Sequence, residues 1–307
     1  MTAGQGAATA AAPARSPWRE ALARLGRNRL AAASAALLGL IALGCAIGPP
    51  IAGAFGVDAT TIDVARGATP PSPSHWLGTD TLGRDLLVRI LIGGRIALAV
   101  GAVATAIAVA IGVTWGAIAG YAGGWLDGLM MRIVDALYGL PTVVLVIVVK
   151  AATGTRSLAA LVALIGAISW LTVARITRGQ VLLLRHREFA LAARAAGARP
   201  ARLVLRHLLP NAAGPVIVYA TLALPQVMLV EALLSFLGLG VQAPLASWGT
   251  LVTEGSSQLV VYPWLLIFPG AAMALTVLAL SFLGDGLRDA LDPASGAPRA
   301  AGPPPRG

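Results

Sequence analysis

Residues Glu188–Asn211 read EFALAARAAGARPARLVLRHLLPN, a polar island between long apolar runs. The surrounding stretch Arg175–Arg206 carries eight of the chain's twenty-three Lys and Arg residues and one acid, Glu188. Phe189, Ala192, Ala193 and Ala196 fall at i, i+3, i+4 and i+7, one stripe of a short helix. Gly197 can cap that helix. Pro200 suits the first turn of a second helix, and Pro210 is expected to end it before the apolar sequence resumes. Alanines along the stripe leave a flat, close-packing surface, and Gly197 permits a left-handed turn that no β-branched residue tolerates. Such a helix is either a knob offered to a soluble partner or an ordinary surface helix lying on its own bundle.

Outward from the island the chain is that of a membrane protein. Its mean hydropathy is +0.79, with 57% apolar and 12% charged residues, far from a soluble average. Leu30–Val57, Ile96–Leu126, Ser157–Ala174, His207–Val230 and Gly255–Gly284 contain no Asp, Glu, Lys or Arg. A spanning helix needs about 20 apolar residues, and most of these runs suffice. Leu129–Val149 is a sixth candidate, with Arg132 and Asp135 near its start. Ala232–Thr253 is also uncharged, but Gly238, Gly240, Pro244, Ser247 and Gly249 predict a loop after Leu237. The expectation is an all-α polytopic protein with six transmembrane helices.

Charge asymmetry orients it. Six spans put both termini on one side with the island, and that side carries 17 Lys/Arg: five before Leu30, Arg132, eight in the long loop and three at the C-terminus. The other side carries six: Arg66, Arg84, Arg89, Arg95, Lys150 and Arg156. The positive-inside rule therefore predicts cytoplasmic termini and a cytoplasmic island. The net charge of +10 is then a topology signal. No basic stripe with interleaved aromatics argues for nucleic acid. Met1–Pro13 is Ala-rich low complexity, and Trp18, Leu22 and Leu25 among Arg19, Arg24 and Arg27 suggest an interfacial helix before the first span. That span is too long for a signal-peptide core of roughly 7–15 residues.

Several chemistries are disfavoured. The single lysine, Lys150, lies in VVKAA, so there is no phosphate-binding G-x-x-x-x-G-K-S/T loop. His75, His186 and His207 lack metal-site spacing, one cysteine, Cys45, forms no intramolecular disulfide or thiolate cluster, and no G-x-S-x-G elbow is present. No catalytic, cofactor-binding or metal residue is assigned, and transport is favoured over membrane-bound catalysis.

The island resembles the cytoplasmic loop of binding-protein-dependent ABC importers, E-A-A-x-x-x-G followed nine residues later by I-x-L-P. Leu191-Ala192-Ala193, Gly197, His207, Leu209 and Pro210 occupy those places. Leu191 stands where Glu is usual and His207 where Ile is usual, wording similar to that of the peptide/nickel subgroup. His75–Asp80 with Leu82–Asp85, Leu234–Leu239, Pro244, Ser247–Gly249 and Phe282–Asp289 resemble further segments of the C-type permeases of dipeptide, oligopeptide and nickel importers. The resemblance implies a type I importer permease, one N-terminal helix plus a five-helix core. It implies that Glu188, Phe189, Leu191, Ala192, Ala193, Arg194, Ala196, Gly197 and Pro210 couple it to an ATPase. Partners implied are a second homologous permease chain, two ATP-binding subunits and a periplasmic or lipid-tethered substrate-binding protein, in a bacterial inner membrane. ATP and magnesium would reside on the partner subunits, leaving this chain non-catalytic and without a cofactor. On that basis 1–29 is a cytoplasmic tail, 30–54 the first span, 55–94 external, 95–287 the permease core with coupling loop 176–211, and 288–307 a cytoplasmic tail. The cargo implied is a short peptide, with nickel or another small solute as the variant. The rival is an ion-gradient-driven secondary transporter, which predicts inverted repeats and discontinuous helices lined by ionisable groups.

Within the spans, Gly112, Gly116, Gly120 and Gly124 form a repeated G-x-x-x-G, suited to close helix approach within the chain or between subunits. Pro141, Pro225 and Pro269 are expected to kink their spans. Glu231 interrupts an apolar span and is either a pore-lining acid in the translocation path or a structural hydrogen-bond acceptor. Asp135 is expected to pair with Arg132 one turn earlier. Asp80, Arg84 and Asp85 shape a gate or pair with one another.

Overall fold

A computed structural model describes residues 17–57, 61–154 and 157–291, with side chains from residue 22 onward. Met1–Pro13, Arg156 and the tail beyond Leu291 lie outside the described residues. Helix α1 (Pro17–Arg27) leads into α2 (Arg29–Ala54), whose start is set by Asn28. The Asn28 side-chain oxygen accepts from the N–H groups of Leu30 at 3.1 Å and Ala31 at 3.3 Å, donors that have no partner inside the helix. Helix α3 (Leu86–Ala122) starts the same way, with Asp85 accepting from the Val88 N–H at 3.0 Å. It begins well before the uncharged run at Ile96, because the charge on Arg89 is neutralised inside the fold. Arg89 Nη1 donates to Asp80 at 2.6 Å and to Glu254 at 2.8 Å.

The third span is not the continuous Leu129–Val149 helix read from hydropathy. Helices α4 (Gly124–Tyr138) and α5 (Thr142–Thr153) meet at 86° across Gly139, Leu140 and Pro141. Pro141 has no N–H to continue the ladder, and it disfavours helical geometry at Leu140 before it. Helices α6 (Leu158–Ser169) and α7 (Leu171–Leu184) form a second bent pair, at 41°. There the Ser169 hydroxyl donates to the Ile165 carbonyl at 2.8 Å, a back-bond that bends helices.

After α8 (Glu188–Ala195) and α9 (Pro200–Leu203), a π-helical turn at Val204–Leu208 passes directly into α10 (Leu209–Phe236). Pro210 therefore does not end a helix; it lies in the first turn of α10. The wide turn makes this possible: the Leu209 N–H reaches back to Val204, and the loosened ladder accommodates a residue that cannot donate. Pro225 and Pro269 sit inside unbroken helices. The expected loop after Leu237 covers only part of its range, because Ser247 and Thr250 form a capping box that opens α11 (Trp248–Ser256). Helix α12 (Trp264–Leu291) is the last described element. Among the described residues, four helical stretches are each long and apolar enough to cross a membrane, and up to six spans result when each bent pair counts as one. The described residues form no strand, only isolated bridges.

Helix α3 lies at the centre, against α2, α6, α7 and α10. Its glycines explain the closest of these approaches. A Cβ on Gly112 would stand 2.6 Å from the Val173 Cβ, one on Gly116 2.8 Å from the Thr177 Cβ, and one on Gly120 2.8 Å from the Arg178 carbonyl oxygen. All three neighbours are on α7, so the small-residue repeat packs two helices of one chain. Gly124 faces open space at the start of α4.

Candidate functional site

The island folds as a helix–turn–helix seated on the ends of α3 and α7. Glu188 opens α8, where a carboxylate favours the helix dipole, and Arg194 lies in its last turn. Gly197 ends it at φ +80°. The Ala198 N–H bonds to Ala193 O at 3.0 Å and the Gly197 N–H to Arg194 O at 2.9 Å, the paired bonds of a Schellman motif. Pro200 occupies the first turn of α9, as its spacing indicates.

The alanine stripe divides between two faces. Ala190 is fully buried with Ala117, Val181, Leu203 and Leu208, and Ala193 packs against this cluster. Phe189, Leu191, Ala192, Ala195 and Ala196 are exposed. Ala193 is thus part of the seat rather than of the outward surface, and Leu191 joins the surface. Pro210 is exposed at the foot of α10.

The Ala190 cluster and one ring contact hold this platform on the bundle, and two further contacts tie the helices beneath it together. Arg185 Nη1 donates to the carbonyls of Gly120 at 2.9 Å and Tyr121 at 3.3 Å, capping α3. The Arg194 guanidinium carbon lies 5.6 Å from the Tyr121 ring centroid. Arg178 grips Asp127 with two bonds of 2.5 and 2.7 Å, joining α4 to α7; bidentate pairs of this kind set orientation as well as attraction.

A second feature, which sequence reading missed, is a cavity of about 350 Å³ inside the bend of the third span. It is lined from α4, α5, α6, α7 and α10, by Tyr138, Thr142, Ser169, Thr172, Tyr219 and Gln226 among apolar side chains. No periodicity in one segment identifies a space bounded by five helices. The signal available was the Gly139-Leu140-Pro141 break itself.

Glu231 is 2% exposed and is not part of that lining. Its carboxyl accepts from the Ser235 hydroxyl at 2.8 Å and the Ser247 hydroxyl at 2.7 Å, tying α10 to the start of α11. This is the geometry of a structural acceptor. Asp135 does not pair with Arg132; its partner is Arg175 on α7, at 2.6 Å. The Asp135 carboxylate and the Arg175 fork meet across two helices, whereas Arg132 stays exposed. Asp80, Arg84 and Asp85 do pair locally. Asp80 accepts from Arg84 Nε at 2.7 Å as well as from Arg89, and Asp85 from His75 Nδ1 at 2.8 Å. No group of three or more potential metal ligands occurs among the described residues.

Residues 112–296 match the family described as binding-protein-dependent transport system inner membrane component, and residues 16–71 match the N-terminal TM domain of oligopeptide transport permease C. The chain is 47% identical over 279 residues to the oligopeptide transport system permease protein OppC of Escherichia coli (strain K12), covering 91% of this chain and 92% of that protein. It is 42% identical over 276 residues to OppC of Bacillus subtilis (strain 168), covering 90% and 89%. The dipeptide transport system permease protein DppC of the same bacterium is 41% identical over 282 residues, covering 92% and 87%.

Proposed function

The chain belongs to the binding-protein-dependent transport system inner membrane components, and we propose that it is the permease half through which an ATP-driven importer moves short peptides. The peptide assignment is supported by the names of relatives 41–47% identical along most of their length, which are oligopeptide and dipeptide permeases. The observation that carries the mechanism is α8: a small-residue surface, exposed at Ala192, Ala195 and Ala196, on a helix bolted to α3 and α7.

In this reading an ATPase subunit seats on α8 through Phe189, Leu191, Ala192 and Ala196, with Glu188, Arg194, Gly197 and Pro210 holding the loop in shape. Its closure drives α3, α4 and α7 as one body. The break at Gly139–Pro141 takes up the motion relative to α5. Cargo delivered by a binding protein enters between this chain and a second permease, past the cavity inside the bend. ATP and magnesium stay on the ATPase subunits, and catalysis with them. Family membership leaves an ion-gradient carrier without support.

The test is a complex purified through this chain. It is expected to retain ATP-binding subunits and, in proteoliposomes, to accumulate labelled peptide only with ATP and a binding protein. Uptake driven by an ion gradient without ATP would refute the reading. Orientation has its own check, in a Cys45→Ser background carrying Arg199→Cys or Ser256→Cys, both at exposed positions. An impermeant maleimide is expected to label position 256 in intact cells and position 199 only after permeabilisation, as the Lys/Arg imbalance requires. The opposite pattern would invert the assignment.

A further inference from the structure

The cavity inside the third span's bend holds hydroxyls and an amide but no charged side chain. Such a lining suits a peptide backbone, whose N–H and C=O groups it meets without selecting side chains. Charge begins only at the edge. Asp135 lies one turn before Tyr138, and Arg175 one turn after Thr172. Arg175 Nη2 donates to Asp135 Oδ1 at 2.6 Å, and its guanidinium carbon stacks 4.2 Å from the centroid of the Tyr138 ring. The Tyr138 hydroxyl lies 3.1 Å from the Thr172 hydroxyl. The pair thus bridges α4 and α7 across one end of the cavity, held flat against a wall residue.

Its construction differs from that of the neighbouring bridge between the same helices. Arg178 and Asp127 make two bonds, and the Asp127 side chain is only 11% exposed. Arg175 and Asp135 make a single bond with side chains 42% and 64% exposed. Arg178 is 35% exposed, close to Arg175, so the two bridges differ chiefly at their acids, and the pair with the exposed acid gains less by remaining together.

We propose that Arg175 and Asp135 form the inner gate of the cavity and that a zwitterionic peptide opens it by exchange. The peptide carboxylate replaces Asp135 on Arg175, and the peptide ammonium replaces Arg175 on Asp135. Each charge keeps an opposite partner throughout, so neither is stranded beside an apolar wall. A cargo blocked at one end must part the pair uncompensated. This inference rests on the peptide-importer reading above.

The test uses the whole transporter, permease pair, ATPase subunits and binding protein, in proteoliposomes at saturating trialanine, trialanine amide or N-acetyl-trialanine. The same binding protein serves every permease variant, so a change in an uptake ratio arises in the permease. Arg175→Gln is expected to lower the acid-to-amide ratio by about fivefold, the scale of a partly exposed ion pair, while Arg175→Lys restores it. Asp135→Asn is expected to lower the amine-to-acetyl ratio by about the same factor and to spare the acid-to-amide ratio. A strut merely holding α4 to α7 would reduce all three uptakes alike; unchanged ratios would overturn the gate, as would Arg175→Lys behaving like Arg175→Gln. If the unmodified complex moves none of the three peptides with ATP present, the importer reading falls, and the gate with it.

Discussion

Ala192→Trp is expected to abolish ATP-driven uptake while leaving the permease folded and inserted. Ala192 lies on the exposed side of α8, away from the fully buried Ala190. An indole there meets none of the chain's own core, but it stands between α8 and whatever seats on it. Protein interfaces pack at their centres as densely as interiors, so a partner fitted to a methyl group is held off along the whole helix. A loss of about thirtyfold or more in co-purification of the ATPase subunits is expected, the scale of a central interface residue worth about 2 kcal/mol. Ala193→Trp makes the contrast, since Ala193 packs into the seat with Ala190, Leu203 and Leu208, and there the permease itself is expected to suffer. Gly197→Val should lie between them. At φ +80° with open space around it, Gly197 resists valine through backbone strain alone, about 1–2 kcal/mol. Ordinary uptake and ATPase retention in Ala192→Trp would remove α8 from the coupling path.

The features legible in the sequence were those decided within a few residues. Gly197 and Pro200 each have one conformational role that their neighbours allow, and the helix–turn–helix of the island follows from them. The glycine repeat in α3 announced a close approach because only the absence of side chains permits one. Features that needed a distant partner were not legible. Ala193 turns inward because Leu203 and Leu208 come back beneath it; nothing in the spacing of Phe189, Ala192, Ala193 and Ala196 distinguishes it from Ala192. Asp135 finds Arg175, forty residues away, and leaves the nearer Arg132 exposed. Arg89 counted as an external charge, yet Asp80 and Glu254 bury it within α3. Pro141 and Pro210 show the same limit from the other side. Both remove a backbone donor, but the first breaks a span by 86° while the second rides on a π-turn whose widening no local rule anticipates.

Gly116→Leu is expected to be the most destructive single change in the bundle. The position faces α7 backbone and the base of a side chain, with Thr177 Cβ 2.8 Å and the Arg178 nitrogen 2.9 Å from where a Cβ would lie. A neighbouring side-chain tip could swing aside; a backbone cannot without moving its helix. Helices α3 and α7 must therefore separate, and α7 carries Arg178, whose bonds to Asp127 hold α4. The expected cost is about 3 kcal/mol, the upper end for overpacking, seen as an apparent melting midpoint in detergent lowered by roughly 5–10 °C. Gly128→Ala is the matched control, because a Cβ at that helical position meets nothing within 4 Å. It should be neutral or slightly stabilising, alanine being the better helix former by about 0.5–1 kcal/mol. If Gly116→Leu melts like the unmodified chain, α3 and α7 are not the tightly packed pair the geometry describes. The route from α8 to the cavity would then run through Leu203 and Leu208 into α10, which supplies Tyr219 and Gln226 to the cavity wall.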